Sequence, residues 1–344
     1  VGADGRHSRI RKLLGIPCET ELLSYSVALG LDHGVAALVR ASHGHVFVDG
    51  PGPTLAYPCG HERVRMCIDV PLGAAKGDRK LRALLRERYA PLLPSELRRA
   101  MLEALERNPL AGAANHAITT GACACPGAAL VGDAGGCSHP ITATGMTTGL
   151  HDVTTLATSI GRHGMGRQAL EAYQRARYRF VRSREAFTHA LYDVLRGASP
   201  GPAALREGMF AYWQASERAR GTSIDVLCGD DERAGTFVIE YLRVVASSGL
   251  RAGRDLMRVD APGRRAAAAR LRALLDTAGS ALGVAARKAV STLVLERSRP
   301  FEGPQLSDRE SPGDGAIEGE ADDGDGGAPS GLRPIDGRDA LERH

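Results

Sequence analysis

Four apolar residues, Ala128-Ala129-Leu130-Val131, run straight into Gly132-Asp133-Ala134, and a helix-forming stretch opens at Gly145. A buried strand that delivers an acid at its carboxyl end and then feeds a helix belongs to an α/β layer. Ligands of open α/β sheets bind beyond the carboxyl ends of the strands. The Asp133 carboxylate can accept from a ribose hydroxyl. The first free N–H groups of the helix begun by Thr144-Gly145-Met146-Thr147-Thr148-Gly149 point back toward the same crevice. Such a helix end stabilises negative charge on a phosphate or a reduced cofactor ring. The same residues also fit an ordinary strand–loop–helix with a capping Thr, and spacing alone leaves both readings open.

A second polar segment, Asp4-Gly5-Arg6-His7-Ser8-Arg9-Ile10-Arg11, follows the opening Val1-Gly2-Ala3. It reads as the end of a buried strand, a glycine turn and the entry to a short helix at Lys12-Leu13-Leu14, although Asp-Gly alone is a common turn. A strand cut in mid-motif leads us to expect that this chain is the C-terminal portion of a longer protein.

Between these segments, residues 22–70 alternate with period two. Leu23–Leu31, His45–Val48, Thr54–Tyr57 and Val64–Val70 are expected strands of an antiparallel sheet with one covered face. Helices are expected at Arg79–Tyr89 and at Pro94–Arg107 with Pro94 in the first turn, then a strand at His116–Thr120. A helix is expected from Gly145 to about Gly161, and the pattern beyond it is helical. The expected segments there are Tyr173–Leu195, Ala203–Ala219, Phe237–Val245, Arg264–Leu275 and Leu282–Leu295, with Leu271, Leu274, Leu275, Ala278 and Leu282 on one face.

Charge is unevenly spread. From Glu302 onward there are 12 acidic and four basic residues, against 28 acidic and 40 basic before it. The tail, rich in Gly, Pro and Ser, is expected to be disordered, and the basic body reads as a solvated Arg-rich surface. Arg251 to Arg299 carries 11 basic and four acidic residues. The helices from Arg264-Arg265 to Arg299 either cover the core with basic outer faces or lie on an anionic membrane surface. No run of 18 apolar residues and no secretory signal is present. Seven scattered cysteines without a Cys-x-x-Cys pair suit a reducing cytoplasm. An aromatic content of 4% disfavours a stacking platform for nucleic acid. No Gly-x-Ser-x-Gly elbow and no Walker-type loop occurs. His43-Gly44-His45 reads more readily as a polar turn than as metal ligands. Cys123 and Cys125 read as small core residues.

Asp4-Gly5-x-x-Ser8-x-x-Arg11, Gly132-Asp133-Ala134 and Pro140…Gly145-Met146 together resemble the second and third flavin motifs of the single-component FAD-dependent aromatic-hydroxylase superfamily. Within it, His139-Pro140-Ile141-Thr142 and Gly145-Met146-Thr147, with Asp152 downstream, are most similar to squalene epoxidases. Arg63-Val64-Arg65 with Asp69 and Pro71 resembles that family's sheet, and Ala190-Leu191-Tyr192 with Phe210-Ala211-Tyr212 its helical part. The resemblance covers residues 1 to about 230.

The resemblance implies FAD as cofactor and NAD(P)H as co-substrate. Asp133, with Gly132, would meet the FAD ribitol or ribose. Gly145, Met146 and Thr147 would put backbone N–H groups beside the flavin pyrimidine ring, and Pro140 would belong to the same cofactor-binding segment. Asp4, Gly5 and Arg11 would support the pyrophosphate and, in some members, NADPH. None of these would be an acid–base catalyst. A C4a-hydroperoxyflavin would pass one oxygen atom from O2 to a lipophilic, isoprenoid-type alkene, with a partner reductase as a further electron source. The family's Gly-x-Gly-x-x-Gly fingerprint does not occur, and Gly161-Arg162-His163-Gly164-Met165-Gly166 has the wrong spacing.

The expected architecture is therefore α/β. It comprises a partial FAD-binding domain of the glutathione-reductase-like, Rossmann-type class (1–18 and 109–165), a substrate-domain sheet with helices (19–108), a helical region (166–301) and an acidic tail (302–344). Aromatic hydroxylation, isoprenoid double-bond reduction and a non-catalytic fragment without the pyrophosphate cradle remain as alternatives.

Overall fold

The computed structural model describes residues 1–297 apart from residues 41, 197, 198, 232 and 259, so the acidic tail lies outside the described residues. The fold is mixed α/β. Strands β1 (Cys18–Leu31), β2 (His45–Phe47), β3 (Thr54–Pro58), β4 (Val64–Pro71) and β5 (Ala111–Thr120) form one antiparallel sheet in the order β2-β3-β4-β1-β5. Period-two alternation puts Val27, Leu29, Leu31, Met66, Ile68 and Val70 on one face. They pack there against Leu81, Leu85, Tyr89, Leu97, Met101 and Leu105. Those partners come from α2 (Asp78–Leu84), the π turn Leu85–Tyr89 that prolongs it, and α3 (Ser95–Arg107).

The register of β1 on β5 shifts between Leu22 and Ser24. This bulge lets Glu21 and Ser24 share the face opposite the core, where strict alternation would have separated them. That second face is buried where Ser24 and Asn115 stand, so the sheet is covered on both sides at this point.

Residues 1–16 meet 121–135. Gly2 pairs in parallel with Leu130, its N–H donating to Ala129 O (2.7 Å) and its carbonyl accepting from Val131 N (2.9 Å). Ile10, Leu14 and Ile16, in and after α1 (Arg9–Leu13), pack on Ala122, Cys125, Leu130 and Ala134. The two-residue strands β6 (Ala124–Cys125) and β7 (Ala128–Ala129) close a small hairpin. Cys123 and Cys125 are buried there, and burial pushes the Cys123 thiol up to about 12.

The helical part comprises α4 (Gly145–His163), α5 (Arg167–Leu195), α6 (Pro200–Ala215), α7 (Glu217–Cys228), α8 (Ala234–Arg258) and α9 (Ala261–Arg297). Several boundaries differ from the sequence pattern. Pro94 precedes α3 with extended ψ and supplies its carbonyl to Arg98 N (2.8 Å), so the helix starts one residue later. The expected helix Ala203–Ala219 breaks at Ser216, whose hydroxyl accepts from Ala219 N (3.2 Å) and caps α7. The two segments expected at Arg264–Leu275 and Leu282–Leu295 form the single helix α9. Within it Leu274 and Ala278 are buried, whereas Leu275 is 56% exposed, so the inward face is narrower than the pattern indicates. Gly164, at φ +73°, ends α4, which accounts for the glycines of residues 161–166 as a helix terminus. No helix among the described residues is long and apolar enough to cross a membrane.

Candidate functional site

The site is built on the turn that follows β7. Residues Gly132–Gly135 form a single 3-10 turn, with Gly132 at φ +59° and Gly136 at φ +118°. A Cβ at Gly136 would stand 2.7 Å from Ile118 O, so the chain can pass this point only as glycine. The polar groups behind the turn are taken up by buried side chains. Arg177 Nη1 donates to Gly135 O (2.8 Å), Nη2 to Gly132 O (3.2 Å) and Nε to Asp152 Oδ2 (2.9 Å). Asp152 Oδ2 also accepts from Gly132 N (2.8 Å), and Tyr173 OH donates to Leu130 O (2.6 Å). Arg11 Nη1 reaches Ala134 O (2.7 Å), and Thr120 Oγ1 reaches Gly135 O (2.8 Å). With its neighbours anchored inward, Asp133 faces outward and is exposed.

A second part of the lining is the start of α4. The 3-10 turn Pro140–Thr142 leads to Ala143, held at φ +53°, and Thr144 precedes the helix without a side-chain cap bond. The first-turn amides of Gly145, Met146 and Thr147 are thus left for an external acceptor. Met146 is 84% exposed.

Asp133 and Met146 line one cleft of ≈ 460 Å³, together with Pro140, Ala143, Thr144 and Gly145. Arg6, Ser26, Asn115, His116, Arg184 and Glu185 also line it. Burial, and then Arg6 and His7, hold the His116 imidazole below its ordinary pKa. An adjoining cleft of ≈ 380 Å³ shares Cys137, Ser138, His139 and Glu185 with the first and continues along Glu19, Glu21, Thr119, His189 and Tyr192. Burial pushes the Cys137 thiol up to about 11, which makes it a neutral wall.

Of the residues singled out from sequence, Asp133, Pro140, Gly145 and Met146 are brought to the cleft surface, with Gly132 and Thr147 next to it in the chain. Asp4, Gly5 and Arg11 stand away from the lining. The Asp4 carboxylate accepts from Ser8 Oγ (2.5 Å) and Ile10 N (3.0 Å), bonds that hold its pKa below the usual carboxylate value. Gly5, at φ +80°, makes the turn into α1. Arg11 is buried and also donates to Arg6 O (2.9 Å), so this motif braces the Gly132–Gly135 turn from behind. The histidines of His43-Gly44-His45 bond within their own turn, and no group of three or more metal-ligating side chains occurs among the described residues. Sequence reasoning missed Arg177, Arg6 and Glu185. Arg177 shows no local signal beyond being a basic residue on the buried side of a helix.

The family model described as squalene epoxidase matches residues 1–256. Squalene epoxidase 2, mitochondrial, of Arabidopsis thaliana is 29% identical over 255 residues, which are 71% of this chain and 43% of that protein. Squalene epoxidase ERG1 of Candida albicans is 28% identical over 67% of this chain and 48% of its own length. The chain thus spans about half the length of the curated relatives it matches. Among solved structures, Klebsiella pneumoniae HpxO complexed with FAD and uric acid superposes with a TM-score of 0.53 at 21% identity, covering 66% of this chain and 58% of that one. The Diels-Alderase PyrE3 of pyrroindomycin biosynthesis superposes at 0.50 with 17% identity, over 66% of this chain and 48% of its own. These two likenesses concern the fold. With a family model matched over most of its length, the chain belongs to the squalene epoxidase family.

Proposed function

We propose that this chain forms the substrate-side half of an FAD-dependent monooxygenase that uses NAD(P)H and O2 on a lipophilic, isoprenoid-type alkene. The observation that carries the reading is that Asp133 and the amide-bearing start of α4 line one cleft beside a sheet. The residues present fit the flavin end of the cofactor. The Asp133 carboxylate makes no hydrogen bond to another described residue and offers acceptors to a ribityl or ribose hydroxyl. The α4 amides, aligned with the helix dipole, favour negative charge on the ring. Bound FAD would supply the activation of O2. The chain's own share is to bind, to orient and to exclude water. Arg11 serves that binding indirectly by holding the Gly132–Gly135 turn, and Asp4 and Gly5 by shaping the entry to the helix that carries Arg11.

The test is flavin retention by the protein purified in its natural reading frame. Flavin absorbance should survive gel filtration in the wild type and be lost with Asp133→Ala. NADPH-dependent O2 uptake with squalene should then yield an epoxide. Equal flavin retention by both proteins would refute the assignment of Asp133.

One observation favours a second reading. Glu19, Glu21, Glu185 and His189 give the adjoining cleft polar walls, which suit a substrate bearing hydrogen-bonding groups, as in an aromatic hydroxylation. Product analysis separates the two, and anaerobic saturation of a prenyl chain would instead indicate a reductase.

Delivery of a lipophilic substrate is assigned to peripheral membrane contact through the basic C-terminal helices. On α8, Leu250 and Met257 are exposed and adjoin Arg251, Arg254 and Arg258 in the chain. Salt-sensitive binding to vesicles containing anionic lipid, absent with neutral vesicles, is the expected result. Equal binding to both, or to neither, would remove this part of the proposal.

A further inference from the structure

Where the two clefts adjoin, His139, Asn115 and Tyr192 belong to a buried polar cluster that the flavin reading leaves unused. Asp69 on β4, Ser24 on β1, Asn115 on β5, His139 in the loop before α4 and Tyr192 on α5 are all buried. Ser24 Oγ donates to Asp69 Oδ1 and accepts from Asn115 Nδ2 (2.9 Å). Tyr192 OH donates to Asp69 Oδ2 (3.1 Å), and Tyr89 OH to the Asp69 carbonyl (2.6 Å). The His139 ring stacks on Tyr192 with centroids 4.1 Å apart. Its Nε2 lies 3.1 Å from Asp69 Oδ1 and 2.8 Å from Ser24 Oγ, while its Nδ1 accepts from Ile141 N (3.1 Å). An acceptor at Nδ1 fixes the imidazole proton on Nε2, where Asp69 and Ser24 receive it.

A buried polar set of this size contributes less stability than packed apolar side chains would, and its gain is a defined geometry. The geometry here is specific. His139 is joined through one ring nitrogen to the sheet and through the other to the Pro140–Thr142 turn, which opens into α4. We propose that His139 is a positioning residue, oriented by Asp69, that sets the start of α4 relative to the substrate sheet and so couples the sheet to cofactor binding. The proposal rests on the flavin reading of the cleft only for the identity of the cofactor.

Two substitutions divide the two contacts of the ring. His139→Asn keeps an acceptor for Ile141 N but cannot reach Asp69, and His139→Gln reaches toward Asp69 but loses the turn contact. The measurements are amide hydrogen exchange across residues 140–148 and FAD affinity of the purified chain. Both variants should exchange faster at 140–148 than the wild type while the strand at 64–71 keeps its protection, and each should bind FAD about tenfold more weakly. Wild-type exchange at 140–148, faster exchange spread evenly over the chain, or wild-type FAD affinity in a chain that binds FAD would overturn the proposal. If the wild-type chain binds no FAD, the flavin reading fails by itself. The exchange pattern then decides the coupling alone, selective loss at 140–148 supporting it and any other pattern overturning it.

Discussion

Arg177 on α5 and Asp152 on α4 form a buried ion pair at 2.9 Å, and between them they hold the amide of Gly132 and the carbonyls of Gly132 and Gly135. The turn that presents Asp133 is therefore not held by its own sequence. It is shaped by two charged side chains delivered from the helices behind it, and by Arg11 from the start of the chain.

Arg177→Leu should strip the turn of two donors and leave the Asp152 carboxylate buried without its cation. A loss of about 3–5 kcal/mol in chemical denaturation is expected. Arg177→Lys should rescue little of it, because an ammonium cannot reproduce the planar fork that meets Asp152 and two carbonyls together. Equal stability of the lysine variant and the wild type would contradict this account.

Two positions with positive φ should respond in opposite directions. Gly136→Ala places a Cβ against Ile118 O and should destabilise the protein and lower flavin retention. Ala143→Gly relieves a left-handed alanine at the mouth of α4 and should raise stability by up to about 1 kcal/mol, after the extra freedom of glycine in the unfolded chain is subtracted. Thermal denaturation of the two variants beside the wild type checks both signs.

His116 sets a pH response. Burial holds its folded pKa below the ordinary value, so the unfolded chain takes up a proton first as pH falls. Stability present above about pH 6.5 should be lost as the pH drops through that value toward the folded pKa. Between pH 7.5 and 5.5 the Tm of the wild type should fall more steeply than that of His116→Gln. Parallel profiles would show that His116 is not responsible.

Ser216→Ala removes the cap that divides α6 from α7. A loss of about 1 kcal/mol is expected by denaturant titration, since the Ala219 amide loses its acceptor. No change would mean that the break at Ser216 is dictated by packing alone.

Elements with a local signal are legible in the amino-acid order. Alternation in Val64–Val70 and Leu23–Leu31 encodes burial on one sheet face, and the glycine-led stretch at 145 opens a helix, because periodicity registers which side of an element meets the core. The strand expected over Ala128–Val131 is shorter in the structure: β7 ends at Ala129, Leu130 makes a single bridge to Gly2, and Asp133 stands in the 3-10 turn that follows. The tertiary structure alone decided which polar groups meet. The Asp4 carboxylate is taken up locally by Ser8 and Ile10 N at the entry to α1, whereas Arg6, two residues on, lines the cleft. The bulge at Leu22/Ser24 re-aims the face that carries the Ser24–Asp69–His139 cluster. Partners such as Asp69 and Tyr192, 123 residues apart, leave no trace in any short window. A polar side chain's partner is set by where distant elements dock, and docking is decided by packing over the whole chain.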